Sequence, residues 1–596
     1  MAALFNPVST PLYLLLPHVK SGEIGLPELQ RPFVWPDSKV RNLFDSMMKG
    51  YPIGYVMIWK ASTTYTKTAQ IGTGSHLYDM PSDLVIDGQQ RLTGLLSAMY
   101  KDQKVKDIKY NERRIRIAFN PLRREFDVWS KAKENSPEWI DDIADVFEYV
   151  WDGKGVSYYR PLYLSRLRAF RDKKSLPTLT LDDEATIEKN LNDLVALKDH
   201  PLPVMWIEQS ADVEQVAEIF VRVNSGGKVL NEKNFIETVL SVYDSEAKKL
   251  IDDFCEQSRC PVDGTSYNTI LPLLPVHLIR MAVGVAFWRA RLKFAHKLLR
   301  GENMDDHVVT AEEREKNLAL FKAALRVVTN VNDWHAFLQC FKDAGYLNHS
   351  LVASDNAVVF CYVMFLKGKY DFKVPPVDLA KLIRRWAFVS TITGYYTNSV
   401  ETDAETQLKE LLEIDPKTPA AFTERLNRAM ESRFTDSYFS VTLPEDLQTS
   451  GTQSPVWLGF VASQIILDAH ILFGTQLVQG YLLPGASGKK KAVDIHHIFP
   501  RNFLENNGYQ DKDRLINQVA NFVYLNYATN IDVSDDAPSV YSEKYKAQIG
   551  VDAFLRSCEE NAIPANFGEL PYEEFLAQRR RLMAQKIKMA YEKLSR

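Results

Sequence analysis

The sequence predicts an α+β protein that is predominantly helical, and three observations along the chain lead to this prediction. Strand and helix patterns are mixed over the first ~240 residues. From about 241 to 440, apolar residues recur at the three- and four-residue spacing of helices. After 440, one short apolar strand stands among helical segments. Because a chain of 596 residues is too long for one core, we expect three regions, 1–240, 241–440 and 441–596.

In the first region, local signals predict individual elements. The alternating segment 115–129 is typical of a hairpin with Asn120-Pro121 as its turn, and 202–208 is a short apolar strand. The apolar run that ends at Ile86 is followed by Asp-Gly and then by the helical segment LTGLLSAMY. These signals predict a mixed α/β domain.

Helices dominate the remainder, with long stretches predicted at 271–299, 312–331 and 376–396. The most apolar window, 456–473, is interrupted by Gln464, Asp468 and His470, so we expect a buried helix there rather than a membrane span. Prolines between 564 and 575 precede a final charged helix.

Composition and charge narrow the class of protein. Hydrophobic residues make up 45% and charged residues 25%, which is typical of a globular protein. No basic segment precedes the apolar stretch Leu12 to Leu16, as a secretory signal requires, and five cysteines form no disulfide or zinc pattern, so we expect a reduced, cytoplasmic protein. A net charge of −4 argues against non-specific DNA coating, although basic residues cluster at 166–174, at 488–491 and from 579 onward.

The strongest chemical signal runs from Asp494 to Pro500 and includes the adjacent residues His496 and His497. Side chains that are neighbours on a strand point to opposite faces, whereas a turn would aim both imidazoles into one cleft. Imidazole suits a general base near neutral pH, and together with oxygen donors it suits a divalent metal. Packed or surface histidines remain the alternative interpretation, because the same residues also suit turns.

A second signal, from Val85 to Thr93, predicts a strand, a turn at Gly88 and a helix with Arg91 in its first turn. The N-terminus of such a helix attracts phosphate, and Asp87 there suits a metal or a bound water. The alternative is a plain strand–turn–helix in which Asp87 caps the helix. The phosphate-binding pattern GxxxxGK[ST] does not occur in the sequence.

The segment DIHHIFP, followed by VANFVYLNYATN, resembles the HNH, or ββα-metal, nuclease motif. The resemblance implies that His497 is the general base that activates water and that His496 is a metal ligand at a position often occupied by Asp. It further implies that Asn521 braces the motif loop and that Asn530 is a second metal ligand. Asp494 is then a further ligand or a partner of one. The expected metal is Mg²⁺ or Mn²⁺.

DGQQR, together with LPELQRPFVW (26–35) and IFVRVNSGGKVLNEKNF (219–235), looks like the N-terminal domain of GmrSD-type, modification-dependent (type IV) restriction endonucleases. That module is similar to the ParB and sulfiredoxin folds. The resemblance implies that it binds and hydrolyses a nucleoside triphosphate, ATP or GTP. The residues implied in nucleotide binding are Asp87, Gly88, Gln89, Gln90, Arg91, Gln30, Arg31, Arg222 and Asn224.

Together the two resemblances imply an NTP-regulated nuclease that cuts modified foreign DNA, typically phage DNA, with a helical connector between an NTP-binding domain and an HNH domain. The partners implied are double-stranded DNA and a nucleotide, with no membrane and with a homodimer left open. The DNA modification and the sign of the nucleotide effect are also open. The alternatives are a nucleotide-hydrolysing sensor of DNA modification with weak or nicking nuclease activity, and a toxin-like nuclease that acts on host DNA.

Overall fold

A computed structural model describes most of the chain, and every structural statement below refers to this part alone. The described residues are 4–27, 33–60, 68–69, 77–78, 83–107, 111–211, 215–216, 219, 245–303, 307–397, 400–483, 493–510, 515–526, 533 and 535–596. Contacts divide the chain into two compact units, 1–249 and 250–596. The predicted division into three regions remains a prediction.

The first unit is built on a mixed seven-stranded sheet, with two strand pairs beside it. Its strands are β1 Phe5–Pro11, β2 Ile24–Pro27, β3 Val56–Lys60, β4 Thr68–Ala69, β5 Leu77–Tyr78, β6 Asp83–Asp87, β7 Val105–Lys106, β8 Glu112–Arg113, β9 Ile117–Asn120, β10 Glu125–Val128 and β11 Pro201–Ile207. The order in the large sheet is β1-β11-β3-β6-β2-β4-β5. β11 runs parallel to β3, while β3 runs antiparallel to β6.

Helices of this unit pack on one face of the sheet, around a core that includes Leu16, Phe44, Leu92 and Phe147. The helices are α1 Leu12–Ser21, α2 Asp37–Met48, α3 Gln89–Met99, α4 Lys131–Glu134, α5 Ala144–Trp151, α6 Val156–Lys173 and α7 Leu181–Ala196, with a 3₁₀ turn at Leu197–Asp199. A smaller apolar cluster, which includes Met57 and Trp59, forms around the other side chains of the central strands.

Local chemistry explains several element boundaries in this unit. The β9–β10 hairpin confirms the predicted one, and Asn120 Oδ1 shapes its turn by accepting the backbone N–H groups of Leu122 and Arg123 at 3.1 and 3.0 Å. α7 begins with a capping box in which the side chains of Thr180 and Asp183 accept each other's backbone N–H groups. The predicted strand at 202–208 is confirmed as β11.

The second unit is almost entirely helical, and the buried helix Asp355–Tyr370 lies at its centre, in contact with Pro275–Phe287 and Pro376–Ile392. Its helices are Pro275–Phe287, Leu292–Arg300, Ala311–Val328, Val331–Asp343, Asp355–Tyr370, Pro376–Ile392, Val400–Leu412, Pro419–Glu431, Leu443–Asp446, Pro455–Ile466, Val478–Leu482, Arg501–Asn506, Pro538–Ile549, Val551–Glu560 and Tyr572–Ser595, and helix Ser245–Gln257 spans the boundary between the units. Short 3₁₀ segments lie at His349–Leu351, Val519–Asn521 and Phe567–Glu569, and a π-helical turn lies at Tyr438–Thr442.

The apolar window 456–473 forms a buried helix, as expected, but that helix is shorter than the window. It spans Pro455–Ile466 and ends where Asp468 adopts a left-handed φ of 55°. Lys593 of the last helix donates to the Ile466 carbonyl at 2.6 Å and so satisfies a helix-terminal acceptor. No helix within the described ranges is both long and apolar enough to cross a membrane.

One two-stranded sheet interrupts the helices of the second unit. β12 Val493–His497 pairs antiparallel with β13 Phe522–Asn526, and the partners of His496 and His497 are Val523 and Phe522. The 24 residues between the strands (498–521) include helix Arg501–Asn506, and helix Pro538–Ile549 follows β13. The described residues thus form an antiparallel strand pair with one helix between the strands and another after them. Whether this is the ββα-metal fold remains a prediction.

Candidate functional sites

The DGQQR segment forms a tight turn between the end of β6 and the start of α3. Gly88 adopts φ 92° and is the N-cap residue of α3, so Asp87 does not cap the helix. A Cβ on Gly88 would lie 2.9 Å from Val56 Cγ2 and 3.3 Å from Arg91 Nη1. Glycine is therefore required twice, for the backbone conformation and for the close approach of β3.

Arg91 turns back from the first turn of α3 onto the loop that precedes β3. Its Nη1 donates to the carbonyl of Tyr55, and a Cβ on Gly54 would lie 2.6 Å from Nη2. Burial lowers the pKa of Arg91, while the negative charge of Asp87 opposes that shift. The pKa of Tyr55 is raised by burial and by Asp87 and lowered by Arg91, so these three side chains form one electrostatic cluster.

Gln90 connects this turn to the segment that contains PFVW. Its Oε1 accepts the backbone N–H of Val34 at 2.9 Å, while the buried ring of Phe33 lies near Gly94 of α3. Gln89 donates to the Val85 carbonyl at 3.5 Å, at the far limit of a hydrogen bond. Residues 33–35, the described part of the segment QRPFVW, therefore lie beside the DGQQR turn.

Four residues implied in nucleotide binding lie outside the described residues, namely Gln30, Arg31, Arg222 and Asn224. Their part in the site remains a prediction. The five residues Asp87–Arg91 are the described part of this candidate site, where a partly buried helix N-terminus lies beside a carboxylate and a guanidinium. Such an arrangement suits phosphate binding, since backbone N–H groups and a cation converge there.

In the second unit, His496 and His497 are both residues of β12 and both are partly buried. Because neighbouring strand residues point to opposite faces, the two imidazoles do not share one face of the strand. Since β12 continues through His497, the structure favours the first of the two geometries considered from the sequence, in which the two side chains point to opposite faces.

His497 is held by one residue of the segment before β13 and by the first residue of β13. Its Nε2 lies 3.0 Å from Asn517 Oδ1, and its ring meets the Phe522 ring edge-on, with centroids 5.1 Å apart. When Asn517 Oδ1 accepts this hydrogen bond, the hydrogen of a neutral imidazole is on Nε2 and Nδ1 is the nitrogen that can accept a proton. Sequence reasoning missed Asn517, because a single Asn in a loop carries no signal of its partner.

Asn521 is completely buried and braces the turn that follows His497. Its Oδ1 accepts the N–H of Phe499 at 2.8 Å, and its Nδ2 donates to the carbonyls of Phe499 at 3.0 Å and Ile516 at 3.2 Å. The Asn521 backbone carbonyl also accepts the N–H of Ile498 at 2.8 Å. This geometry is that of a loop brace, the function implied for Asn521 by the resemblance.

The implied metal ligands are only partly described. His496 lies in β12, the backbone of Asp494 pairs with Leu525, and the side chain of Asp494 and all of Asn530 lie outside the described residues. Within the described ranges, no group of three His, Cys, Asp or Glu side chains is arranged to hold a metal ion. An imidazole with carboxylate and amide oxygens is nevertheless a donor set that suits a divalent ion such as Mn²⁺.

The basic cluster from 579 onward is engaged within the unit rather than facing solvent as one stripe. Arg579 is completely buried, Arg580 donates to Gln518 Oε1 at 2.5 Å, and Lys588 and Lys593 pair with Asp436 and Asp468, each at 2.9 Å. In the cluster 166–174, Arg168 pairs with Glu184 of α7. The segment 488–491 lies outside the described residues.

Comparison with known proteins supports a nuclease that acts on DNA. Residues 15–240 match the family model described as GmrSD restriction endonuclease, N-terminal domain. This match supports a domain of the GmrSD restriction endonuclease type at residues 15–240. An uncharacterized protein of Methanocaldococcus jannaschii is 21% identical over 553 residues, which cover 87% of this chain and 84% of that relative, so this similarity extends well beyond residue 240.

Proposed function

We propose that the protein is an NTP-regulated, divalent-metal-dependent endonuclease that cuts modified foreign DNA in the cytoplasm. The observation that carries the proposal is the geometry around His497, at the end of β12 with Nε2 bonded to Asn517. The match of residues 15–240 to a restriction endonuclease domain supplies the substrate class, DNA.

In the proposed reaction, His497 Nδ1 accepts a proton from the water that attacks the phosphodiester. Asn517 keeps the imidazole in the required tautomer, and Phe522 limits rotation of its ring. Asn521 holds the backbone that follows His497, so that the base does not move relative to β13. A divalent ion held by His496, Asp494 and Asn530 would supply Lewis-acid stabilisation of the charge on the phosphate and the leaving oxygen.

In the first unit, the start of α3 and Arg91 would bind the phosphates of ATP or GTP. Backbone N–H groups of the first helical turn point toward an anion placed there, and the guanidinium adds a positive charge. Asp87 would orient the water or ion that takes part in hydrolysis. Gln90 would transmit occupancy of the turn to the backbone of Val34, since it bonds that N–H directly.

Plasmid cleavage tests the nuclease site. The substrates are unmodified DNA and DNA that contains methylcytosine, hydroxymethylcytosine, glucosylated hydroxymethylcytosine or phosphorothioate, each with ATP, GTP or neither. His497→Ala should lower the cleavage rate by about 10²–10⁴-fold, since a general base is lost, and should leave NTP hydrolysis intact. His470→Ala is the matched control, because this histidine bonds Glu560 at 2.9 Å and not the site.

Cleavage at the wild-type rate by His497→Ala would reject the assignment of the base, and cleavage in EDTA would reject metal dependence. Cutting of unmodified DNA alone would favour a toxin-like nuclease. NTP hydrolysis that responds to modified DNA without any cutting would favour the sensor.

Regulation is tested by Arg91→Ala in the same two assays. A nucleotide changes cutting only if it binds one state of the protein better than the other. Arg91→Ala should therefore weaken NTP binding and also change the rate or selectivity of cleavage. Unchanged cleavage in a variant that has lost NTP binding would show that the two activities are independent.

A further inference from the structure

Arg579 is a completely buried cation that donates hydrogen bonds to backbone carbonyls. Its Nη1 donates to Ala520 O at 2.7 Å and its Nη2 to Phe522 O at 2.6 Å, with a longer contact to Asn561 O at 3.5 Å. Burial lowers the pKa of Arg579 to about 9, so the side chain remains protonated at neutral pH. Leaving such a charge without acceptors would be costly, and these carbonyls are therefore firmly held.

The two main acceptors lie on either side of Asn521, the residue that braces the turn after His497. The planar guanidinium reaches both carbonyls with two N–H groups in a fixed fork, whereas an ammonium group has no such fork. Arg579 thus fixes the backbone at 520 and 522 at once, and with it the direction of the Asn521 side chain and of the Phe522 ring.

The neighbouring Arg580 extends this support. It donates to Gln518 Oε1 at 2.5 Å, and Gln518 directly follows Asn517, whose side chain bonds His497. The segment 517–522 therefore contacts His497 and the turn after it on one side and two consecutive arginines of helix Tyr572–Ser595 on the other.

From these contacts we infer that Arg579 is a positioning residue for His497, acting through residues 517–522. It contacts neither substrate nor base. The inference deepens the proposed function and rests on it for its effect on cleavage, although the position of the His497 ring can be measured without any activity.

The test uses the full-length protein with two substitutions. Arg579→Lys keeps a positive charge but loses the fork, and Arg580→Met removes a positive charge together with the bond to Gln518. Ring signals of His497 are followed by NMR with ¹⁵N-labelled histidine and assigned by their loss in His497→Ala. Single-turnover cleavage and DNA affinity are measured in parallel.

Arg579→Lys should shift the His497 ring signals and slow single-turnover cleavage by about tenfold or more, with DNA affinity within about twofold of wild type, since small displacements of a base are costly. Arg580→Met should change both in the same direction by less. Lys593→Met is the matched control: this residue of the same helix also donates to a backbone carbonyl, but at Ile466. It should lower thermal stability without moving the His497 signals.

Unchanged His497 signals in folded Arg579→Lys and Arg580→Met would overturn the inference. If Arg579→Lys does not fold, Arg580→Met decides alone. Failure of the proposed function looks different, because His497→Ala would then cut normally whether or not the ring signals shift.

Discussion

Each of the two candidate sites contains a side-chain amide that accepts a backbone N–H from a loop, but the two bonds lie in different surroundings. Asn521 accepts from Phe499 at 2.8 Å and is completely buried. Gln90 accepts from the backbone of Val34 at 2.9 Å, and the side chain of Val34 is 55% exposed. A buried polar group that loses its partner pays the full cost of desolvation, while an exposed one exchanges it for water. The same bond therefore has different structural weight in the two sites.

The other interactions that fix the two turns differ in a similar way. The turn at Gly88 is set by backbone conformation and close packing against Val56. The turn after His497 is set by buried side chains, since Tyr541 donates to the Ile498 carbonyl at 2.6 Å and Arg579 holds the strand that follows. The turn at Gly88 therefore depends on a backbone conformation and a close approach that favour glycine, whereas the turn after His497 depends on hydrogen bonds from residues distant in the sequence.

Asn521→Ala should have the largest effect on stability. It removes the donor and acceptor that satisfy the Phe499 backbone and one partner of the Ile516 carbonyl, all in the interior. We expect a loss of about 3–4 kcal/mol in the free energy of unfolding, measured by denaturant titration of the second unit's transition.

The control for this prediction is Asn507→Ala. Asn507 also donates to a backbone carbonyl, that of Phe503 at 2.7 Å, but it is exposed. We expect about 0.5 kcal/mol or less from this change. Equal losses for the two variants would contradict the argument from burial.

Gly88→Ala should have the next largest effect, and Gly50→Ala separates its two causes. Both glycines have positive φ, 92° and 71°, but only at Gly88 does an added Cβ meet a neighbour, Val56 Cγ2 at 2.9 Å. Gly50→Ala should cost about 1 kcal/mol for the left-handed backbone alone. Gly88→Ala should cost about 2–3 kcal/mol, because overpacking adds to it, and should also weaken NTP binding. Similar losses at both positions would show that β3 moves aside without cost.

The sequence predicted those elements whose signals are local. The strand, turn and helix around Gly88 were predicted from an apolar run, Asp-Gly and a helical segment, and they form β6 and α3. The hairpin around Asn120 was predicted from alternation and a turn pair and is also confirmed. In each case the residues that decide the structure lie within about ten positions of one another.

What the sequence did not predict depends on contacts between distant residues. In the sequence Arg579 is the first residue of a basic cluster in a charged helix, yet it is buried against Ala520 and Phe522, almost 60 positions away. Asn517 bonds His497 because the pairing of β12 with β13 brings the two residues together. The helix from Pro455 ends at Ile466 rather than later, where Lys593 from the end of the chain binds its carbonyl. The spacing of apolar residues along the chain does not predict such contacts between residues that are far apart in the sequence.

Gln90→Ala should have the smallest effect on stability, and it tests whether the more exposed of the two amide hydrogen bonds contributes little. The substitution removes the acceptor of the Val34 N–H, at a position where water can replace it. We expect a loss of about 0.5–1 kcal/mol in the unfolding transition of the first unit, well below that for Asn521→Ala.

NTP affinity of Gln90→Ala should fall by more than this loss of stability explains, because the segment that carries Val34 is no longer bonded to the start of α3. For stability alone, Gln89→Ala is the control, since its bond to Val85 O, at 3.5 Å, is long and lies within the same strand–turn–helix. A stability loss at Gln90 as large as that at Asn521 would mean that the first site is also held by a rigid side-chain brace, and the contrast between the two sites would fail.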